Sequence, residues 1–360
     1  PQITNDGQYT KDSTKLHATW TAIDTASGIA EYRYAIGTTP GATNVVDWTS
    51  TGTMAQVTRT GLVLAHNQTY YFSVKACDGA GNWSDAGNSD GIKVDLTDPV
   101  CDYLIDNGPY SASTTTLSAT WNFSDPESGV IEYWYAIGTA PEASPEGEED
   151  IVGWESIGNL TSAEHTNLNL QDGATYYVSV FAVNGAILLY TTHSNGVTID
   201  ITPPTTPQAT DDGQYTNSTT ELHATWTSSD PASGIAEYQY AIGTTSGGTN
   251  VVTWTSTGLT ASVTKTGLAL TSGQPYYFNV KARDNAGNWS AAGDSDGIIV
   301  DYISPEAGTI TINAGAAYTN FSTVTLAISA SDATSGMTGG EMKISNVDSN
   351  WNLVMPETYT

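Results

Sequence analysis

Basic residues are scarce in this chain. Its 360 residues hold only 10 Lys and Arg against 38 Asp and Glu, a formal net charge of −28. Between Pro99 and Pro203 there is no Lys or Arg at all. Such a surface repels polyphosphates and anionic headgroups, which excludes nucleic-acid binding and docking to an acidic membrane. Charged residues of both signs make up 13% of the chain, against about 25% in ordinary soluble domains. The exterior must therefore be neutral and polar, built from Thr, Ser, Asn, Gly and Tyr. That suits a secreted or cell-surface protein, and halophilic adaptation produces a similar balance. Cysteine is almost absent: Cys77 and Cys101 cannot make a disulfide framework. Long apolar runs are missing too. Nothing approaches the ~18–20 residues of a bilayer span, so direct membrane insertion of this segment is excluded. No phosphate-cradling glycine loop, CxxC pair or zinc-type histidine cluster occurs. No segment keeps a 3.6-residue period, so almost no helix is expected.

What is present is a stretch that occurs three times. Leu64, Tyr70, Val74 and Ala76 recur as Leu170, Tyr176, Val180 and Ala182, and again as Leu270, Tyr276, Val280 and Ala282. In each copy Leu to Tyr spans six residues, Tyr to Val four and Tyr to Ala six. Trp20, Trp121 and Trp226 stand in one local context, 101 and 105 residues apart. Constant spacing of this kind marks a duplicated structural unit about the size of one small β domain.

Alternation within the first copy predicts strands. Thr14 to Ala22 places Leu16, Ala18 and Trp20 on one face, and Ile29 to Gly37 places Tyr32, Tyr34 and Ile36 inward. Tyr70 to Ala76 turns Tyr70, Phe72, Val74 and Ala76 inward. Shorter strands follow at 43–50, 55–60 and 91–95, and one opening strand is expected over 2–10. Seven antiparallel strands in about 100 residues read as a β-sandwich. The fold class expected is all-β, with tandem seven-stranded sandwiches in an extended string. Prolines close each unit, at Pro99, Pro203 and Pro305, because proline fixes φ and removes a donor. The domains expected are 1–97, 98–202, 203–303 and a truncated unit 304–360, with linkers too short to act as flexible coils. Pro1-Gln2-Ile3-Thr4 matches Pro207-Gln208-Ala209-Thr210 inside a later linker, so the chain is expected to begin mid-linker, as a window on a longer array.

The Leu-Tyr-Val-Ala signature with an early core tryptophan resembles fibronectin type III domains. The Tyr-x-Tyr-Ala-Ile-Gly and Asp-x-Ala-Gly-Asn-Trp-Ser motifs are similar to repeats of large bacterial and archaeal surface or secreted proteins, and residues 304–360 resemble a bacterial immunoglobulin-like repeat. The resemblance implies that the tyrosine makes a corner hydrogen bond and that the tryptophan sits in the core. It implies no particular activity, since this sandwich carries many unrelated tasks. The second copy departs from the pattern. It replaces the Asp-x-Ala-Gly-Asn-Trp-Ser loop of 78–84 and 284–290 with Val183-Asn184-Gly185-Ala186, and inserts an acidic loop at 141–150 carrying Glu142, Glu146, Glu148, Glu149 and Asp150.

Candidate chemistry is sparse. The five histidines, His17, His66, His165, His193 and His223, have no acid or nucleophile spaced for a catalytic triad, and the chain is not expected to be an enzyme. Calcium is the one cofactor the pattern offers. Asp-x-x-Ser-Gly recurs at Asp24, Asp125, Asp230 and Asp332, at the pole where linker carboxylates Asp98, Asp200 and Asp301 could approach, and hard cations favour oxygen clusters. The competing reading is that Asp and Ser cap a tight turn whose Gly takes φ > 0. Trp83, Trp134 and Trp289 are candidate platforms for a glycan or protein partner, against packing within or between units. The acidic loop reads as a solvated insertion or as a contact for a basic partner or a cation. Cys77 and Cys101 fall a domain length apart and are expected not to bond to each other. Asn-x-Ser/Thr at Asn67, Asn82, Asn122, Asn159, Asn217, Asn288 and Asn320 permits glycosylation without indicating it. Two readings follow. One is an extracellular structural or adhesive rod, acting as a stalk, a spacer or a self-associating filament subunit. The other is a set of carbohydrate-binding accessory modules beside a secreted enzyme.

Overall fold

The computed structural model describes residues 1–141 and 151–337 in full, and the strand backbones Met342–Val347 and Leu353–Tyr359. The acidic residues Glu142, Glu146, Glu148, Glu149 and Asp150 lie outside the described residues. The chain divides into two compact units, Pro1–Ile201 and Thr202–Thr360.

Two sandwiches make the first unit. The first comprises β1 (Gln2–Asn5), β2 (Tyr9–Thr10), β3 (Leu16–Thr21), β4 (Ile29–Gly37), β5 (Val46–Gly52), β6 (Gln56–Arg59), β7 (Thr69–Asp78), β8 (Gly87–Asn88) and β9 (Ile92–Val94). One sheet has the order β1-β3-β6 and the other β2-β9-β7-β4-β5, with β8 also paired to β7. A three-stranded sheet facing a larger one, with a tyrosine corner between them, is the fibronectin type III-like sandwich. The alternating side chains fill the space between the sheets as expected: Trp20, Tyr34, Phe72, Val74 and Val94 are buried, while Lys15 and Thr19 face outward. The second sandwich repeats the order, with Val100–Ile105, Leu117–Ser124 and Ser162–His165 in its small sheet. Its core is centred on Trp121, which has no exposed surface.

One expected element is different. The opening strand over 2–10 is two strands, because the chain crosses from one sheet to the other. β1 pairs antiparallel with β3, whereas β2 runs parallel to β9. Gly7 makes the crossing at φ +115°, a conformation that side chains resist, and Gly108 and Gly213 repeat it at +90° and +106°. Among the described residues each sandwich thus has nine short strands, one pair of them parallel, rather than seven antiparallel ones.

The corner is the same in all three copies. The backbone N–H of Ala65 donates to Tyr70 Oη at 2.8 Å, Gln171 to Tyr176 Oη at 2.9 Å and Thr271 to Tyr276 Oη at 3.0 Å. Each tyrosine ring is buried while its hydroxyl satisfies a donor that the sheet ladders leave over. Tyr176→Phe keeps the ring and orphans that donor, so urea denaturation should show a loss of about 1–2 kcal/mol. No loss would mean that water replaces the hydroxyl.

The second unit holds the third sandwich, whose sheets contain Gln208–Asp211, Leu222–Thr227 and Ser262–Lys265 on one side and Ile235–Gly243 with Pro275–Asp284 on the other. After it come two two-stranded ladders, Glu306–Ile312 with Leu326–Ser331 and Met342–Val347 with Leu353–Tyr359. Ile310, Tyr318 and Phe321 are exposed there, so the described part of this segment buries little apolar surface. The only helical turn among the described residues is Asn313–Gly315.

Candidate functional site

The four Asp-x-x-Ser-Gly loops are one structure repeated. In each, a carboxylate oxygen of the aspartate caps the backbone that follows it. Asp24 Oδ1 accepts N–H bonds from Ser27 at 2.7 Å and Gly28 at 3.0 Å. Asp125 Oδ1 accepts from Ser128 at 2.8 Å and Gly129 at 3.0 Å, Asp230 Oδ1 from Ser233 at 2.8 Å, and Asp332 Oδ1 from Ser335 at 2.8 Å. Gly28, Gly129, Gly234 and Gly336 all take φ between +70° and +77°. The turn therefore takes up one oxygen of each carboxylate and leaves the other outside it. The hydrogen bond from the Ser27 backbone and its neighbours hold Asp24 below the usual carboxylate range, and the Ser335 backbone does the same for Asp332.

Between the first and second sandwiches the spare oxygen has a purpose. The exit of β9 carries Asp95, which is fully buried, into the pole of the second sandwich. Its Oδ1 accepts from the Thr97 amide at 3.1 Å and the Thr97 hydroxyl at 2.9 Å. Its Oδ2 accepts from Ser128 Oγ at 2.6 Å and from Asn184 Nδ2 at 3.0 Å. Asn184 Nδ2 also reaches Asp125 Oδ2 at 2.9 Å. The linker carboxylate that meets the Asp125 loop is therefore Asp95; Asp98, the residue expected there, is exposed. Asp95 was missed because Asp98 stands nearer the proline, yet only Asp95 is still held by the sheet, its N–H donating to Thr10 O at 2.9 Å. The same bond holds Asp200 to Ser111 O at 2.9 Å and Asp301 to Thr216 O at 2.7 Å. Asp200 is buried and Asp301 half-buried.

Lysines of the first sandwich add to this contact and bring cations to a sandwich that has no Lys or Arg. Lys93 Nζ donates to the Glu127 carbonyl at 2.7 Å, and Lys11 Nζ donates to the Ile187 carbonyl at 2.8 Å. Gly185 lies so close to Tyr9 and the Ser128 carbonyl that a Cβ there would come within 2.8 Å and 2.7 Å of them. His66, Asp95 and Glu127 bring ligand atoms within 4.8 Å of one another. His66 Nδ1 already accepts the Leu96 amide at 3.2 Å, however, and Thr97 occupies Asp95 Oδ1. The corresponding pole of the first sandwich is an open cleft of about 630 Å3 that includes Asp24, Asp78 and Trp83.

Burial pushes the Asp125 carboxyl up, and the bonds from Asn184, Ser128 and Gly129 outweigh it, so the group sits below its ordinary value. A carboxyl depressed on folding contributes stability that is complete above its unfolded value, about 3.9, and is lost as pH falls through the folded value. The contact between the two sandwiches should accordingly hold from neutral pH to about pH 4 and loosen below it. Amide exchange at Ser128 and Gly129 followed against pH checks this; protection that is flat down to pH 2 would contradict it.

The candidate tryptophans belong to a layer on the outer face of the larger sheet. In the first sandwich Lys75 Nζ lies over Trp48 at 4.5 Å and Trp83 at 5.1 Å, and the Arg33 guanidinium lies over Trp83 at 4.9 Å. In the third, Lys281 lies over Trp254 at 4.6 Å and Trp289 at 4.5 Å, with Arg283 at 5.5 Å from Trp289. Four of the ten basic residues are thus placed against indole rings. The second sandwich keeps the layer without a cation. Phe181 replaces the lysine, packing on Trp154 at 4.9 Å and stacking with Trp134 at 5.8 Å and 9°. Trp83, Trp134 and Trp289 are therefore all packed against side chains of their own sandwich.

His17 and His223 bond Asp6 and Asp212 through Nδ1 at 2.7 Å, and in the second sandwich Asn107 Nδ2 makes the same side-chain tie by donating to Ser118 Oγ at 3.1 Å. A position that tolerates His–Asp and Ser–Asn equally is a strand clamp. Cys77 is buried at the end of β7 and Cys101 is half-buried in the second sandwich; both are free thiols.

No family model matches the chain. It is 28% identical over 308 residues to exoglucanase B of Cellulomonas fimi, a match covering 82% of this chain and 25% of that protein. The chain thus spans about a quarter of the length of this curated relative. Among solved structures it is similar to the chicken CNTN1 FN1-FN3 domains, at 17% identity over 83% of this chain and 97% of that one, TM-score 0.33. It is also similar to fibronectin(III)-like modules of Clostridium thermocellum CbhA (12%, 55% and 94%, TM-score 0.34) and to a run of titin domains (14%, 82% and 98%, TM-score 0.38).

Proposed function

We propose that the chain is a non-catalytic, extracellular run of spacer modules that holds its neighbours at a set separation, as a stalk or as the connecting part of a larger secreted protein. The observation that carries this reading is the contact between the first two sandwiches. Asp95, Ser128 and Asn184 are buried there and mutually bonded, and a flexible tether has no use for buried polar partners. The acidic, base-poor surface, otherwise built from uncharged polar residues, fits an exterior location. Fluorophores on Val63→Cys and Leu160→Cys, both exposed sites, in a Cys101→Ser background of the full chain would report the separation of the two sandwiches. A spacer requires one narrow distance distribution; a broad one would sink the reading.

A second reading is favoured by the match to an exoglucanase: these modules accompany a catalytic domain and hold a glucan on their aromatic layers. It requires that the full chain be retained on insoluble glucan and that Trp48→Ala or Trp83→Ala abolish the retention. Against it, the indoles already carry lysine, arginine or phenylalanine. Self-association into a filament requires ordered polymers of the purified chain in electron micrographs.

A further inference from the structure

Asn184 closes the strand Thr175–Asn184 and is fully buried. It pairs with Val130 as Asp78 pairs with Ile29 and Asp284 with Ile235, so the three occupy one structural position. Only the second sandwich has an amide there. Asn184 Oδ1 accepts from the Ala186 amide at 3.0 Å and the Leu188 amide at 2.8 Å, the turn that Asp78 Oδ1 makes with Ala80 at 2.9 Å and Asn82 at 2.8 Å. These two N–H donors identify which end of the Asn184 amide is oxygen. Nδ2 therefore faces Asp125 Oδ2 at 2.9 Å, Asp95 Oδ2 at 3.0 Å and the Thr97 carbonyl at 3.0 Å. Three oxygens, two from the linker at Asp95 and Thr97 and one from the Asp125 loop, converge on a nitrogen that has two hydrogens. Two carboxylates and a main-chain carbonyl around one point are the donor set of a hard divalent cation.

The neighbouring position sharpens the comparison. In the first sandwich Asn82 Nδ2 donates to the spare oxygen of Asp78 at 2.9 Å, and in the third Asn288 Nδ2 does so for Asp284 at 2.8 Å. In the second sandwich the residue four positions on is Leu188, which has no side-chain donor. The amide has moved from the turn into position 184, where it points away from its own loop and into the cage between sandwiches.

We propose that the Asn184 amide stands in the place of a divalent cation in this cage, and that residue 184 decides whether the junction of the first two sandwiches needs one. With asparagine the junction is complete without metal. With aspartate a third carboxylate oxygen would face Asp95 and Asp125 at about 3 Å, a charge that a buried site holds only if a cation joins it.

The test uses the full chain in chelator and in millimolar calcium, with scanning calorimetry and terbium luminescence as readouts. Wild type is expected to melt at the same temperature in both and to give no sensitised terbium signal. Asn184→Asp should melt roughly 5–10 °C lower in chelator, recover in calcium and sensitise terbium. The exchanged pair Asp95→Asn with Asn184→Asp restores one amide and two carboxylates, and should return to wild-type melting without calcium. A calcium-dependent wild type overturns the proposal, as does an Asn184→Asp variant that melts like wild type in chelator. Where Asn184→Asp alone does not fold, the exchanged pair decides: metal-independent rescue supports the charge count, and no rescue overturns it.

Discussion

Asp95→Ala is expected to release the first sandwich from the second at a cost of about 3 kcal/mol. The substitution removes the acceptor of Ser128 Oγ, of Asn184 Nδ2 and of the Thr97 amide and hydroxyl in one step. Ser128 and Asn184 are buried, so water cannot reach them without opening the contact. Asn184 Nδ2 keeps Asp125 Oδ2 and the Thr97 carbonyl, so the donor left without a good acceptor is the buried Ser128 hydroxyl, 3.4 Å from Asp125 Oδ1, whose desolvation is no longer compensated. Asp98→Ala, three residues on and exposed, should stay within about 0.5 kcal/mol of wild type. Native-state hydrogen exchange at Ser128, Gly129 and Leu188 separates the two variants: protection falls in the first and is kept in the second. Equal protection in both would show that the apolar and lysine contacts alone hold the junction.

Trp121→Ala should cost the second sandwich about 3–5 kcal/mol. The indole has no exposed surface, stacks on Tyr135 at 6.5 Å and meets Tyr133 edge-on at 6.2 Å. Its removal opens a cavity between two sheets whose strands are tied by hydrogen bonds and cannot close over the gap. The outer-face residue Trp83, 40% exposed, makes a useful contrast. Trp83→Ala loses cation–aromatic contacts worth about 1 kcal/mol and leaves no cavity. Guanidinium unfolding monitored by near-UV circular dichroism measures both. A Trp121→Ala loss under about 1 kcal/mol would mean that the tryptophan is not the centre of that core.

Much of the sandwich was legible because alternation has a direct physical reading. A strand puts every second side chain on one face, so Leu16, Ala18 and Trp20 had to share a side, as had Tyr70, Phe72, Val74 and Ala76. The corner bond was legible only through a family resemblance, since six residues between Leu64 and Tyr70 say nothing of where a hydroxyl points. The division of the opening strand was hidden because Asn5 to Gln8 holds no apolar residue and so carries no alternation that would show a change of sheet. The switch lies in the φ of Gly7, and a glycine in a polar stretch is as common in ordinary turns. The aromatic layer was hidden for another reason. Trp48, Lys75 and Trp83 sit on three different segments, and only the sheet register brings them together.

The sequence by itself determined the period of the repeat, the identity of each core, the all-β class and the acidic, base-poor surface, because each depends on residue type and spacing along the chain. The tertiary structure decided which carboxylate does what. Asp24, Asp95, Asp98 and Asp125 are chemically one residue type. Asp24 caps a turn on an open pole, Asp98 meets solvent, and Asp95 and Asp125 face a buried amide. That difference arises from how the exit of one sandwich enters the pole of the next, where Asp95 bonds Ser128 and Asn184, 33 and 89 positions along the chain. Spacing along a strand carries no record of such an approach, because it is set by the mutual desolvation of groups that only folding makes neighbours.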